Sequence, residues 1–274
     1  MLFICPKCRE QLNICEDGAA RCKGGHCYDR SRYGYYNLLL GSGGAHGDNA
    51  DMVKARREFL SGGYYEPLAE RVAALSSMHL PTLGVLLDAG CGEGYYTRKI
   101  REKLCDRVDN GGTRVVAFDI SKDAVKEAAK KKCADDYAVA SAYHMPLGDG
   151  SVDVLVNTFS PLAIEETARV IKAGGVFIMA IPAEEHLFGL KAAIYDTPYK
   201  NTVSDTALPG FSLISSEELR YTVHLDRQAE IAALFMMTPY AYRTGSSGRE
   251  KVLSLTELTF DAHFMIFTYR KEQP

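Results

Sequence analysis

Between residues 84 and 181, short apolar runs alternate with longer segments whose apolar positions recur every three or four residues. The runs at 84–88, 114–119, 137–140, 152–157 and 175–181 predict strands, because they are short, rich in Val, Ile and Phe, and bounded by turn residues. The segments 94–105, 122–132 and 162–172 carry the helical period. Regular strand–helix alternation predicts an α/β fold with a parallel sheet covered on both faces. Upstream, Asp51 is read as the cap of a helix through Met52, Ala55, Phe59 and Leu60, closed by Gly62 and Gly63. A second helix, 65–78, places Leu68, Val72 and Leu75 on one face. Downstream, 183–195 reads as helical and 197–216, with Pro198, Pro209 and Gly210, as an insertion. A strand near 219–225, a helix near 227–237 and a strand near 259–269 would complete the sheet.

Residues 1–36 depart from this pattern and suggest a separate small module, with 37–80 as linker and helices and 81–274 as the main domain. Within the linker Gly41, Gly43, Gly44 and Gly47, with Ser42, Asp48 and Asn49, form a loop with little means of packing. The 274 residues are 46 % hydrophobic and 24 % charged, ordinary for a globular chain. A net charge of −3 gives no global sign of a nucleic-acid binder, so any RNA contact would need a local basic surface. No apolar run is long enough to span a bilayer and Met1–Cys5 is no signal peptide, so the expectation is a cytoplasmic protein without membrane association. Eight cysteines in that compartment point to metal or to buried thiols. Cys91, Cys105 and Cys133 read as buried free thiols.

The other five cysteines fall within the first 27 residues. Cys5-x2-Cys8 followed by Cys22-x3-His26 has the spacing of a structural zinc site, two close pairs that can each close on the metal from a tight turn. So small a module cannot bury enough core to fold alone, and one bound metal would supply much of its stability. Cys27 could take the place of His26; Cys15 reads as a bystander. Four protein ligands would leave no open coordination position, so the metal is structural rather than catalytic.

The first predicted strand ends in Asp88 and runs into Gly90, Gly92 and Gly94 at every second position. A dinucleotide fingerprint has a different spacing, G-x-G-x-x-G. The second strand ends in Asp119, placed to take ribose hydroxyls, and Ala142 and Tyr143 follow the third strand, placed to flank an adenine. With Met145-Pro146 before Asp149-Gly150-Ser151-Val152-Asp153, these motifs resemble those of class I methyltransferases that use S-adenosylmethionine, a Rossmann-like fold whose last strand is antiparallel. The alternative is a dehydrogenase, for which no hydride-transfer site is evident.

Taken together, the two halves resemble the bacterial 23S ribosomal RNA (guanine-N1)-methyltransferases of the RlmA type. The resemblance rests on Cys-Pro-x-Cys at Cys5, Gly34-Tyr35-x-Asn37-Leu38-Leu39, Ala55-Arg56-Arg57-x-Phe59-Leu60 and Gly63-x-Tyr65-x-Pro67-Leu68. It continues through the glycine loop to His186-Leu187 and Met237-Thr238-Pro239. It implies methyl transfer to N1 of a guanine in hairpin 35 of 23S rRNA, by a homodimer whose zinc modules help to bind RNA. It also implies zinc ligands at Cys5, Cys8, Cys22 and His26, and cofactor contacts at Tyr65, Gly92, Glu93 and His186. A small-molecule methyltransferase with a zinc dimerisation module is the competing reading.

Guanine N1 must lose its proton as the methyl arrives, so a base or a donor to O6 would help. Asn157, Ser160 and His186 are the nearby candidates, each with a structural reading beside the chemical one; Phe159 and Tyr65 could offer stacking surfaces. Lys7, Arg9, Arg21, Lys23, Arg30 and Arg32 form one basic group, and Lys54, Arg56 and Arg57 a second. Lys130-Lys131-Lys132 reads as a solvated helix end.

Overall fold

The computed structural model describes residues 1–41, 47–107, 112–203 and 206–273. Near the N-terminus β1 (Asn13–Ile14), β2 (Ala20–Arg21) and β3 (Cys27–Tyr28) form a small antiparallel sheet. Next come β4 (Tyr35–Asn37), α1 (Ala50–Ser61) and α2 (Glu66–His79). The alternating region holds β5 (Val85–Ala89), α3 (Tyr95–Cys105), β6 (Arg114–Asp119), α4 (Lys122–Lys131), β7 (Asp136–Val139), β8 (Val152–Thr158), α5 (Ile164–Val170) and β9 (Ile171–Pro182). The chain finishes with α6 (Phe188–Ile194), β10 (Phe211–Leu225), α7 (Gln228–Met236), α8 (Tyr240–Arg243), α9 (Ser246–Leu253) and β11 (Leu258–Lys271).

Eight strands make the main sheet, in the order β10-β11-β9-β8-β5-β6-β7-β4. β5 lies at its centre, parallel to both β6 and β8. From β5 the chain winds one way through β6 and β7, then crosses back to build β8 and β9 on the other side. Strand order therefore reverses at the carboxyl end of β5, the crevice where open α/β sheets bind ligands. β11 is antiparallel to both β9 and β10, as expected of the class I methyltransferase fold.

The pleat sends alternate residues to opposite faces. Leu86 packs with Phe59, Leu68, Val72 and Ile100 on one side, while Leu87 packs with Val116, Phe118, Leu155 and Phe177 on the other. Both leucines are fully buried, so truncating either to alanine costs about 2–5 kcal/mol. The N-terminal segment shares the second of these cores: Phe3, Leu12, Tyr36 and Leu38 pack with Leu87 and Met145. The Ile4 amide donates to the Pro146 carbonyl at 2.9 Å, and the Leu2 amide to Asp136 Oδ2 at 2.9 Å.

Several expectations need correction. Asn49, not Asp51, caps α1; its extended backbone lets Oδ1 accept the Met52 amide at 3.0 Å. The helix expected over 162–172 stops at Val170, because Ile171 pairs with Val152 and opens β9. That expected over 183–195 begins only at Phe188, after a turn with Leu187 in the left-handed region. Residues 211–216, read as insertion, belong to β10 and, apart from a register shift between Leu213 and Ser215, pair with β11. β4, α8 and α9 were not foreseen; β4 is a parallel edge strand against β7. Cys105 is exposed, whereas Cys91 and Cys133 are buried. Part of the glycine-rich linker (42–46) lies outside the described residues, but Gly47–Asn49 is packed: Ser121 Oγ donates to the Asp48 carbonyl at 2.5 Å.

Candidate active site

A cavity of about 790 Å³ opens at the carboxyl ends of β5, β6, β7 and β8. Its volume falls within the usual range for small-ligand sites. Gly90, Gly92, Glu93, Asp119 and Ala142 line it, as do Tyr65, Ser160 and Phe159. Four stretches thus converge on the end of the sheet: the turn after β5, the strand ends of β6 and β7, the turn after β8, and the start of α2.

Gly90 has φ of +81°, and a Cβ there would overlap the Ser160 hydroxyl. Glycine is therefore needed there to admit Ser160, whereas the backbone at Gly92, with nothing nearer its Cβ position than Arg56 Cδ at 3.9 Å, is left open to a ligand. Gly94 has a different task. It caps α3 in the left-handed region, and a Cβ there would come within 3.0 Å of Ala128 Cβ on α4. Asp119 braces the loop: Oδ2 accepts the Gly92 amide at 2.9 Å and Oδ1 the Ser121 amide at 2.8 Å. Burial pushes its carboxyl pKa up while those two hydrogen bonds pull it down.

Asp88 lies behind the loop rather than on the cavity wall. It is buried and accepts the Thr97 hydroxyl at 2.5 Å, which ties β5 to α3. Burial raises its pKa to about 6, against the pull of the Thr97 bond. Glu93 is buried and paired with Lys131, so that lysine is not part of a solvated helix end.

His186 is likewise set behind the cavity wall. Its Nδ1 accepts the His263 amide at 3.3 Å, and its Nε2 is 3.3 Å from the Tyr65 hydroxyl. Burial lowers its pKa to about 3, with the charges of His263 and Lys191 adding to the effect, so the ring is neutral. Because Nδ1 is an acceptor, Nε2 carries the hydrogen and donates it to the Tyr65 oxygen. Tyr65 is thereby left with its own O–H to donate elsewhere.

The candidates for base chemistry sort differently. The Asn157 side chain is committed to the turn after β8: Oδ1 accepts the Ser160 amide at 3.2 Å and Nδ2 donates to the Pro161 carbonyl at 3.3 Å. Ser160 lies over Gly90. Phe159 takes φ of +59° and stacks on His186, with ring centroids 6.3 Å apart.

Sequence reasoning missed Asp48, Arg56, Tyr96, Met237, Tyr242 and Arg243 as wall residues. Arg56 had been grouped with surface cations, since nothing in its spacing links it to residue 92. The hydroxyls of Tyr96 and Thr158 are buried there without a hydrogen-bond partner among the described residues. Buried hydroxyls of this kind call for polar ligand atoms. Together with the open Gly92 backbone and the Asp119 carboxylate, they suit a polar adenosyl donor.

The second cluster lies in the N-terminal segment. The sulfur atoms of Cys5, Cys8 and Cys22 and a ring nitrogen of His26 all lie within 4.8 Å of one another. Cys8 and Cys22 Sγ are 3.5 Å apart, and His26 Nδ1 is 3.5 Å from both Cys5 Sγ and Cys22 Sγ. A tetrahedral zinc with bonds of about 2.0–2.3 Å implies edges of this order. Cys27 is exposed and is not among the four clustered groups, which favours His26.

A family model described as a methyltransferase domain matches residues 87–179, from the end of β5 into β9. The 23S rRNA (guanine(748)-N(1))-methyltransferase of Streptomyces fradiae is 31 % identical over 82 % of this chain and 80 % of its own. YxjB of Bacillus subtilis (strain 168), whose name assigns it provisionally to 23S rRNA (guanine-N(1))-methylation, is 31 % identical over 94 % of this chain and 92 % of its own. The malonyl-[acyl-carrier protein] O-methyltransferase of Yersinia pestis is 32 % identical, but over only 49 % of this chain. These two rRNA methyltransferase relatives match over most of this chain and most of their own length, and on that ground the chain belongs to the family of 23S rRNA (guanine-N1)-methyltransferases.

Proposed function

We propose that the protein transfers the methyl group of S-adenosylmethionine to N1 of a guanine in hairpin 35 of 23S rRNA. The observation that carries this reading is the union, in one chain, of the cavity at the β5 switch point with the Cys5/Cys8/Cys22/His26 cluster. The relatives matched over most of the chain are named for that reaction on 23S rRNA.

The donor supplies an electrophilic methyl; the protein's part is to hold donor and base in line and to exclude water. Gly90, Gly92 and Glu93 would take the amino-acid end, Asp119 the ribose and Ala142 the adenine. Asp88 and Gly94 would act indirectly, by fixing the loop and α3. Tyr65, with its hydroxyl oriented by His186, would present a donor hydrogen to the bound ligands. The proton on N1 is not assigned to a residue: Asn157 is committed to its turn, Ser160 covers Gly90, and neutral His186 lies behind Tyr65.

An RNA base rather than a closed-in metabolite is favoured by two exposed aromatics on the cavity wall, Tyr143 at 59 % and Tyr242 at 55 % exposure. Their faces suit a guanine that has left its stack. Residues 1–36 would form the RNA-recognition module around one structural zinc, followed by helices over 37–80 and the catalytic domain over 81–274. Lys7, Lys23 and Arg30 of that module are exposed and make no ion pair among the described residues, so they are available to phosphates. Arg9 and Arg21 are held by Asp149 and Asp17. Assembly as a homodimer in the cytoplasm completes the reading; no helix among the described residues is long and apolar enough to cross a membrane.

The test is methyl transfer in vitro. Purified protein, labelled donor and unmodified 23S rRNA should give label in RNA and a new reverse-transcription stop in hairpin 35. Label in a small metabolite with none in RNA would instead establish the small-molecule alternative.

A further inference from the structure

The cavity wall carries three carboxylates, Asp48, Glu93 and Asp119, and two cations, Arg56 and Arg243. An amino-acid carboxylate entering this space meets like charge unless a cation offsets it. Arg243 is exposed, while the Arg56 side chain is only 27 % exposed and is fixed in place. Its Nε donates to Asp48 Oδ2 at 2.8 Å and its Nη2 to the Met237 carbonyl at 3.1 Å. Its Nη1 makes no hydrogen bond among the described residues. Arg56 Cδ lies 3.9 Å from the point where a Cβ on Gly92 would sit, so the guanidinium stem borders the glycine loop. Its charge also acts on Tyr65, Tyr96 and Asp119, pulling each pKa down against burial. Arg56 thus faces the cavity floor rather than the outer surface of α1.

We infer that Arg56 is the counter-charge for the carboxylate of the methyl donor, held in position by Asp48 and the Met237 carbonyl, and that it is not an RNA contact. The inference rests on the methyl-donor reading. Asp48 brings the chain just before α1, and Met237 the end of α7, onto one guanidinium, so two segments remote in sequence set its orientation. An arginine held by two partners loses little further freedom when it takes up a carboxylate.

Three ligands separate the possibilities by calorimetry: S-adenosylhomocysteine, its analogue lacking only the carboxylate (S-adenosyl-3-thiopropylamine), and 5′-methylthioadenosine. The wild type should bind S-adenosylhomocysteine at least about ten-fold more tightly than the carboxylate-free analogue, the scale of one charge-assisted hydrogen bond. In Arg56→Gln that preference should fall to within about two-fold while 5′-methylthioadenosine binding is kept, and Arg56→Lys should restore part of it. Equal weakening of all three ligands in Arg56→Gln would make the residue structural and overturn the inference. An undiminished preference would overturn it as well. If the wild type binds none of the three, the methyl-donor reading itself fails; if it binds all three without preference, only the role of Arg56 does.

Discussion

At the scale of single residues, the site depends on what has no side chain and on what stays uncharged. Gly90→Ala would put a methyl group onto Ser160 at a backbone angle that alanine rarely adopts. It should cost at least about 1 kcal/mol in urea unfolding and sharply weaken S-adenosylhomocysteine binding. His186 governs a pH effect. Its native pKa of about 3 lies below the unfolded value of 6.5, so its contribution to stability is full above 6.5 and lost as pH falls towards 3. Asp88 works in the opposite direction, because a native pKa of about 6 against 3.8 unfolded favours the native state as pH falls through that window. The clean readout is therefore a difference. Relative to wild type, His186→Phe should gain about 2 kcal/mol between pH 7.5 and pH 5 in urea melts. A constant difference would mean that His186 titrates normally in the folded protein.

At the scale of elements, hydrophobic period located each strand and helix of the central alternating region, and the errors fell where two local signals competed. Asn49 and Asp51 are both capping residue types, and only the backbone path into α1 decides between them. Asn49→Ala should cost about 1 kcal/mol, while Asp51→Ala, which loses only an acid in the first turn, should cost less; thermal melts of the two variants check the order. The end of α5 was misplaced for a similar reason. Val170, Ile171 and Lys172 continue a plausible helix, but pairing of Ile171 with Val152 is gained only once β8 is in place. β4 is three residues long, too short for any periodicity to mark, and exists because β7 offers it an edge.

For the whole molecule, the Cys/His cluster and the cavity belong to different parts of the chain and should fail independently. Cys8→Ser should release bound zinc by elemental analysis and reduce methylation of 23S rRNA, while S-adenosylhomocysteine affinity changes by less than about three-fold. Cys27→Ser should keep one zinc per chain, because that thiol is outside the cluster. Retention of zinc in Cys8→Ser, or its loss in Cys27→Ser, would show the ligand set to be wrong. Coupling between the two parts would run through the shared packing of Phe3, Leu12 and Tyr36 with Leu87 and Met145.

What the sequence determined by itself was everything that local chemistry imposes. Alternating strand and helix period required a parallel sheet, glycines at 90, 92 and 94 after a strand ending in Asp88 marked the loop that borders the cavity, and paired Cys/His spacing marked the Cys/His cluster. These signals are short-range, so they survive in a string of letters. The tertiary structure decided which residues share a surface. It put Arg56 beside Gly92, left Asp88 and His186 behind the wall, spent Asn157 on a turn and set His26, not Cys27, beside the three clustered thiols. Each of these depends on contacts between segments far apart in the chain, which are fixed by close packing of side chains rather than by any pattern along it.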